Sequence, residues 1–442
     1  MFVNQPDITE QTRDYQLRLQ NKKFRSEPIR KVLKDRIEEL ESSLTTSKPV
    51  DNAYSLLHTL AWALSQPDLV DPELLASYLS QLIRLMENAG SGLDFREAID
   101  RAIYYYQETG LPMVDLYLAK VEYLRLTDTE SNEKEKILAE ALKVVNAPED
   151  KMKVLIKTIQ YFNDSSQYKP SLKKCQEALL LVEHDESLAK YLAKIYDLLG
   201  IVYYYLFDYK NAVVFLNKAC EYGEKYDEHT LGEALHYKGR VASDQGDLLK
   251  AMHFFTEGIT HQQFNIADSA WYNLRMGNIL SRSNLIQDAM DHLLLSQKQF
   301  SSIEYGGSAM PQVELAWSDI YKAQKKYVEA ERHILLALKF SKETRFFRGQ
   351  LLCLVSLFWF QLAYLHRLDK AIKTFFVAMT NEEVWRNGGL SLIFSYLAKV
   401  LVIPYKWLTN KSYTIPGTIN VNTKIPACVC PIHGNKLTNE NI

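Results

Sequence analysis

The sequence is poor in chain breakers. Its 17 glycines and 13 prolines fall well short of their usual combined share of roughly 12%. A β-sandwich, whose many turns consume both residues, is excluded on that count, and a helix-rich chain is implied. Cysteine is sparse as well: Cys175, Cys220, Cys353, Cys428 and Cys430 are odd in number and scattered, which is no disulfide framework. The first three read as small buried hydrophobes in a reducing cytoplasm. Neither sign of charge is in excess, with 52 Lys and Arg against 54 Asp and Glu, so the chain as a whole has no pull toward polyanions or membranes. Long apolar runs are missing too. Leu351 to Leu365 and Leu390 to Pro404 both fall short of the roughly 20 residues that a spanning helix needs, and read as buried helices of a repeat interior. Met1 to Glu10 is polar and does not read as a secretory signal. A cytoplasmic location is the expectation.

What the chain does have is self-similarity with a period near 40 residues. Five segments align: Tyr196 to Ala219, Leu235 to Gly258, Asn273 to Ser296, Glu314 to Ala337 and Val355 to Ala378. A small residue falls late in the first half of four of them, as Gly200, Gly239, Gly277 and Ser318; the fifth has Trp359 there. Twelve residues later come Ala212, Ala251, Ala289, Ala330 and Ala371. One turn beyond each alanine sits a large apolar residue, Leu216, Phe255, Leu293, Ile334 or Phe375, and then a small one, Ala219, Gly258, Ser296, Ala337 or Ala378. The pattern is that of two antiparallel helices crossing closely at small residues, with a large residue filling the gap. Asp208-Tyr209 and Gly246-Asp247 supply the turn and cap chemistry between paired helices.

This pattern resembles the tetratricopeptide repeat (TPR) family, whose signature is an aromatic, Leu-Gly, Tyr, then Ala, Phe and Ala at fixed steps. The first segment matches it best, with Tyr196, Leu199, Gly200, Tyr203, Ala212 and Ala219. The period exceeds the family's usual one, as in long-period TPR regulators. The resemblance implies an all-α fold, a right-handed superhelical solenoid of TPR-like helical hairpins. The expected organisation is a polar, partly basic helical leader over 1–50, divergent helical repeats over 51–150, the TPR-like array over 151–405 and a disordered tail over 406–442.

Both ends carry features with two readings. Arg18 to Arg36 holds eight basic residues against Glu27 and Asp35. It could contact nucleic acid, but Glu38, Glu39 and Glu41 follow at helical spacing and favour a solvated helix. The tail's Cys428, Cys430 and His433 lack a fourth ligand nearby and depart from zinc-knuckle spacing. No metal site is expected. Nor does the chain hold a phosphate-binding glycine loop, a dinucleotide turn, an H-E-x-x-H pair or a nucleophile elbow. Glu233 and His236 are three apart on one helix and could share a hydrogen bond, a geometry more often structural than catalytic. No enzyme and no cofactor are expected.

Binding fits better. In a TPR array the first helix of each hairpin lines a concave groove, and the resemblance points Lys194, Asp197, Tyr204 and Tyr205 into it from the first segment. Glu233, His236, Arg240 and Ser243 follow from the second, Asn278 and Arg282 from the third, and Gln312, Asp319 and Lys322 from the fourth. The set is mixed in charge and aromatic, which suits a protein or peptide ligand. The Lys and Asn clamp that grips acidic chaperone tails is absent, with Asp197 and Ile201 at its positions. The leading expectation is therefore a non-enzymatic scaffold or adaptor. Alternatives are a peptide-responsive regulator whose array changes pitch, and a nucleic-acid-associated protein using the basic leader. No small-molecule substrate and no membrane partner are expected.

Overall fold

The computed structural model describes residues 27–39, 59–60, 62–63, 70, 72–89, 96–109, 114–127, 131–145, 147–261, 266–303, 309–344, 347–380, 428–429 and 436–437. The chain divides into two compact units, Met1–Asn146 and Ala147–Ile442.

In the first unit, helix α1 (27–39) carries part of the basic stretch. Its Ile29, Leu33 and Ile37 are buried at one-turn spacing, so the helix is amphipathic and keeps its charges on the other faces. Arg36 is paired with Glu39 at 2.5 Å. Four more helices follow: α2 (Pro72–Ala89), α3 (Arg96–Thr109), α4 (Val114–Thr127) and α5 (Ser131–Val144). Helix α4 packs against each of the other three. Lys120 on α4 ties two of them together, 2.7 Å from Asp100 on α3 and 3.0 Å from Glu133 on α5.

The second unit is a run of helical hairpins: α6 (Pro148–Asp164) with α7 (Tyr168–His184), α8 (Leu192–Tyr205) with α9 (Tyr209–Tyr226), α10 (Glu228–Gln245) with α11 (Leu248–His261), α12 (Ile266–Arg282) with α13 (Ile286–Ser302), α14 (Met310–Ala323) with α15 (Tyr327–Glu343), and α16 (Phe347–Ala363) with α17 (Leu368–Met379). Each helix packs on the next, which makes the unit an all-α solenoid of TPR-like hairpins. The repeat landmarks mark where paired helices cross. Ala212, Ala251, Ala289, Ala330 and Ala371 have no exposed surface. A Cβ added to Gly200 would lie 2.6 Å from Leu216, one added to Gly239 2.7 Å from Phe255, and one added to Gly277 2.8 Å from Leu293. Glycine is required there because the large residue of the partner helix occupies the space a side chain would need. Where Trp359 replaces the small residue, its counterpart Phe375 is only half-buried.

The turns share a feature that the sequence hides. Ser166, Phe207, Gly246, Asn284, Lys325 and His366 all have positive φ, each five residues before the alanine landmark or its counterpart Ser171. In five hairpins the residue after the left-handed one donates its N–H to the carbonyl five residues back, as Asp208 does to Tyr203 and Asp247 to Ala242. This closes each first helix with a Schellman-type cap. Asp208 and Asp247 then cap the following helix, accepting from the N–H of Asn211 and Lys250, both at 3.1 Å.

The tail lies outside the described residues except for two short strands, β1 (Cys428–Val429) and β2 (Lys436–Leu437), paired antiparallel with Cys428 opposite Leu437. Those four residues are the described part of the expected 406–442 tail; Cys430 and His433 are outside the description. So are Arg18 to Arg25, Leu390 to Pro404 and the array's expected end near 405. Among the described residues no helix is long and apolar enough to cross a membrane, and no cluster of His, Cys, Asp or Glu has metal-ligand geometry.

Candidate functional site

The first helices of successive hairpins, α6, α8, α10, α12, α14 and α16, lie beside one another as one layer. Their seams are not alike. The helices pack directly at α6/α8, α8/α10, α12/α14 and α14/α16, whereas α10 and α12 approach each other more loosely. Of the thirteen residues expected to line the groove, eleven are half-buried on this layer. The other two call for correction. Asp197 has no exposed surface and Tyr204 is 9% exposed, so neither is free groove surface.

At the α8/α10 seam the charges satisfy one another. Lys194 on α8 pairs with Glu233 on α10 and lies 3.7 Å from Asp197. Burial works against ionising Glu233, but Lys194 and His229 hold it below the ordinary carboxylate value. Asp197 differs. Burial pushes it up to about 8, Lys194 only partly offsets this, and Glu233 raises it further. Neither carboxyl oxygen of Asp197 has a hydrogen-bond partner. One ammonium facing two carboxyl groups leaves one of them protonated near neutrality. The spacing of Glu233 and His236 permits a hydrogen bond, but none joins them, and Glu233 pairs with Lys194. The His236 ring instead lies 5.2 Å from Phe255 and 5.8 Å from Tyr237.

On the two sides of the α10/α12 seam the balance is opposite: Arg240 reaches from α10 back to α8, and Arg275 from α12 on to α14. The Arg240 guanidinium lies over three rings, 4.6 Å from Tyr204, 4.8 Å from Tyr237 and 5.3 Å from Tyr205. It donates to the Tyr205 hydroxyl at 3.2 Å, which is itself 3.3 Å from that of Tyr237. Arg275 on α12 stacks 5.1 Å from Trp271 and donates to Gln312 of α14 at 3.1 Å. Its Nε is buried without an acceptor. Burial, and next the charge of Arg240, lower Arg275 to about 10. Burial and then both arginines hold His236 well below its ordinary value, so its ring is neutral. Burial raises Tyr204 to about 12, so that at neutral pH it offers Arg240 a ring face and no countercharge. Farther along the seam, Arg282 donates to the carbonyl and hydroxyl of Ser243 at 3.0 and 2.8 Å. On α14, Lys322 and Asp319 neutralise each other at 2.5 Å. Asn278 stands on α12 between Arg275 and Arg282 in sequence and is half-buried.

Sequence reasoning did not single out Tyr237, Trp271 and Arg275. The signal was present for two of them: stepping back three and then four residues from Asn278 along one helix gives Arg275 and Trp271. Other histidines are structural. His292 is fully buried with Nδ1 at 3.0 Å from Asn273 Oδ1, and His333 pairs with Glu314 at 2.6 Å while stacking on Tyr321.

No family model and no curated protein matches the chain. Solved structures of TPR-type repeat proteins do. Aspartyl phosphate phosphatase F from Bacillus subtilis is 15% identical with a TM-score of 0.49, over 80% of this chain and 95% of that one. A Rap protein complexed with competence and sporulation factor is 13% identical with a TM-score of 0.47, over 78% and 99%. A signal transduction ATPase from Pyrococcus horikoshii with a tetratricopeptide repeat sensor is 14% identical with a TM-score of 0.43, over 84% and 63%. Two of these carry enzyme names, a phosphatase and an ATPase, so likeness of fold does not separate scaffold from enzyme. The hairpin architecture stands on the helix packing itself.

Proposed function

We propose that the first-helix layer of the array is a groove that binds an extended protein or peptide segment, and that the chain works as a non-enzymatic scaffold or adaptor. The observation that carries this reading is the character of the layer. It presents half-buried Tyr205, Tyr237, His236, Arg240, Asn278 and Gln312 side by side, a mixture of ring faces and hydrogen-bonding groups suited to main-chain and side-chain recognition. No described arrangement joins a nucleophile to a base and an orienting group, as acid–base or covalent catalysis would require.

The test is crosslinking mass spectrometry on partners captured by the full chain, run beside two variants. Tyr205→Ala with Asn278→Ala alters the layer. Val328→Asp, at a residue 76% exposed on the second helix α15, alters the other side. The expected result is crosslinks to first helices that vanish in the double variant and persist in V328D. Crosslinks confined to second helices, unchanged in the double variant, would overturn the groove.

A further inference from the structure

Several charges that the first helices carry are met locally. Lys194 is matched by Glu233 and Asp197, and Lys322 by Asp319. Arg282 is satisfied by the carbonyl and hydroxyl of Ser243. Among the described residues, Arg240 and Arg275 have no carboxylate within ion-pairing distance. They stand on the two helices flanking the one loosely packed seam of the layer, and the charge of Arg240 acts against that of Arg275. Each guanidinium is also held in place: Arg240 by the tyrosine rings and the Tyr205 hydroxyl, and Arg275 by Trp271 and Gln312. Two fixed cations that repel each other, with a buried donor left without an acceptor, make a site already arranged for an anion. Bringing one in offsets the repulsion and, as the seam opens to admit it, gives Arg275 Nε an acceptor. The neighbouring His236, neutral at physiological pH, adds no competing charge.

On the reading of this layer as a peptide groove, we propose that the α10/α12 seam is its anion subsite. Arg240 and Arg275 together take one carboxylate of a bound peptide, with the Tyr205, Tyr237 and Trp271 rings packing against the residue that bears it. Guanidinium is the group suited to this task, since its planar fork matches a carboxylate and it stacks on aromatic faces at the same time. The carboxylate has two sources in a peptide, the C-terminus or an Asp or Glu side chain. The chemistry at the seam is the same for both.

The experiment uses the full chain and three fluorescein-labelled heptapeptide libraries, read by fluorescence polarisation. The first has a free C-terminus and no Asp or Glu. The second has an amidated C-terminus with Asp and Glu in the mixture. The third is amidated with neither. Wild type is run beside Arg240→Gln and Arg275→Gln, each checked for an unchanged helical circular dichroism spectrum, and beside Arg275→Lys, which keeps the charge and loses the fork. The expected result is binding of the first or the second library but not the third, weakened at least tenfold by R240Q and R275Q and by a smaller factor in R275K. Preference for the first library assigns the C-terminus, and for the second an acidic side chain. Equal binding of all three libraries, or binding unmoved by R240Q and R275Q, overturns the anion subsite while leaving the groove standing. If no library binds even the wild type, the groove reading fails and the subsite with it.

Discussion

Two neighbouring seams of one helix layer, α8/α10 and α10/α12, handle charge in opposite ways. The first is tightly packed and internally neutral, with Lys194 between Glu233 and Asp197. The second is loosely packed, and the arginines on its two sides, Arg240 stacked on tyrosines of α8 and α10 and Arg275 stacked on Trp271, have no ion-paired carboxylate among the described residues. Both are built from equivalent helices of successive repeats, and they differ both in how closely the backbones approach and in the side chains they carry. A self-compensated seam serves the fold. An uncompensated one costs stability.

The strongest way to break the comparison is Lys194→Met. It strands Glu233 and the buried Asp197 together, and urea denaturation should show a loss of about 3 kcal/mol. Next come Gly200→Ala and Gly277→Ala, on helices either side of the two seams. Each new Cβ would fall within 2.8 Å of a buried leucine side chain, and each should cost about 2 kcal/mol. Similar losses at both would show that hairpin crossing is independent of seam chemistry. Arg275→Met should do the reverse of Lys194→Met, leaving the denaturation midpoint unchanged or raised, because it removes a buried charge that has no carboxylate partner among the described residues. A loss of about 2 kcal/mol or more would mean that the contacts with Trp271 and Gln312 outweigh the burial of that charge. The finest distinction is in pH. With Asp197 raised from 3.8 to about 8, the folded chain holds a proton that the unfolded chain has released. This contribution is fully present below pH 4 and declines as pH rises toward 8. In Asp197→Asn, melts between pH 5 and 8.5 should lose that downward slope relative to wild type.

The hairpins were legible because packing at a crossing demands small residues at a fixed spacing, and Gly200, Gly239 and Gly277 with their alanine partners record that demand directly. The turns were not. Six hairpins use a left-handed residue at the same place, and only Gly246 announces it; Phe207, Lys325 and His366 adopt the conformation because the two helices dictate it. The site was legible in part. Position in the repeat placed Tyr205, Arg240, Asn278 and Arg282 on the correct helices, but it could not tell the paired charge of Lys194 from the unpaired one of Arg240. Pairing across repeats depends on which seam closes, and no local pattern encodes that. Asp197 shows the limit from the other side: an aspartate at a polar-looking position is read as exposed, whereas packing buries it.

The three buried thiols give the array a set of internal clocks. Cys175 sits on α7, Cys220 on α9 and Cys353 on α16. Burial holds all three above the ordinary thiol range, at about 12, 11 and 12. A thiol so protected reacts with an alkylating reagent only while its own hairpin is open. Timed alkylation resolved by mass spectrometry would therefore read the opening of three separate hairpins in one unmodified molecule. The order in which they label would reveal whether the solenoid unravels from its ends or parts in the middle.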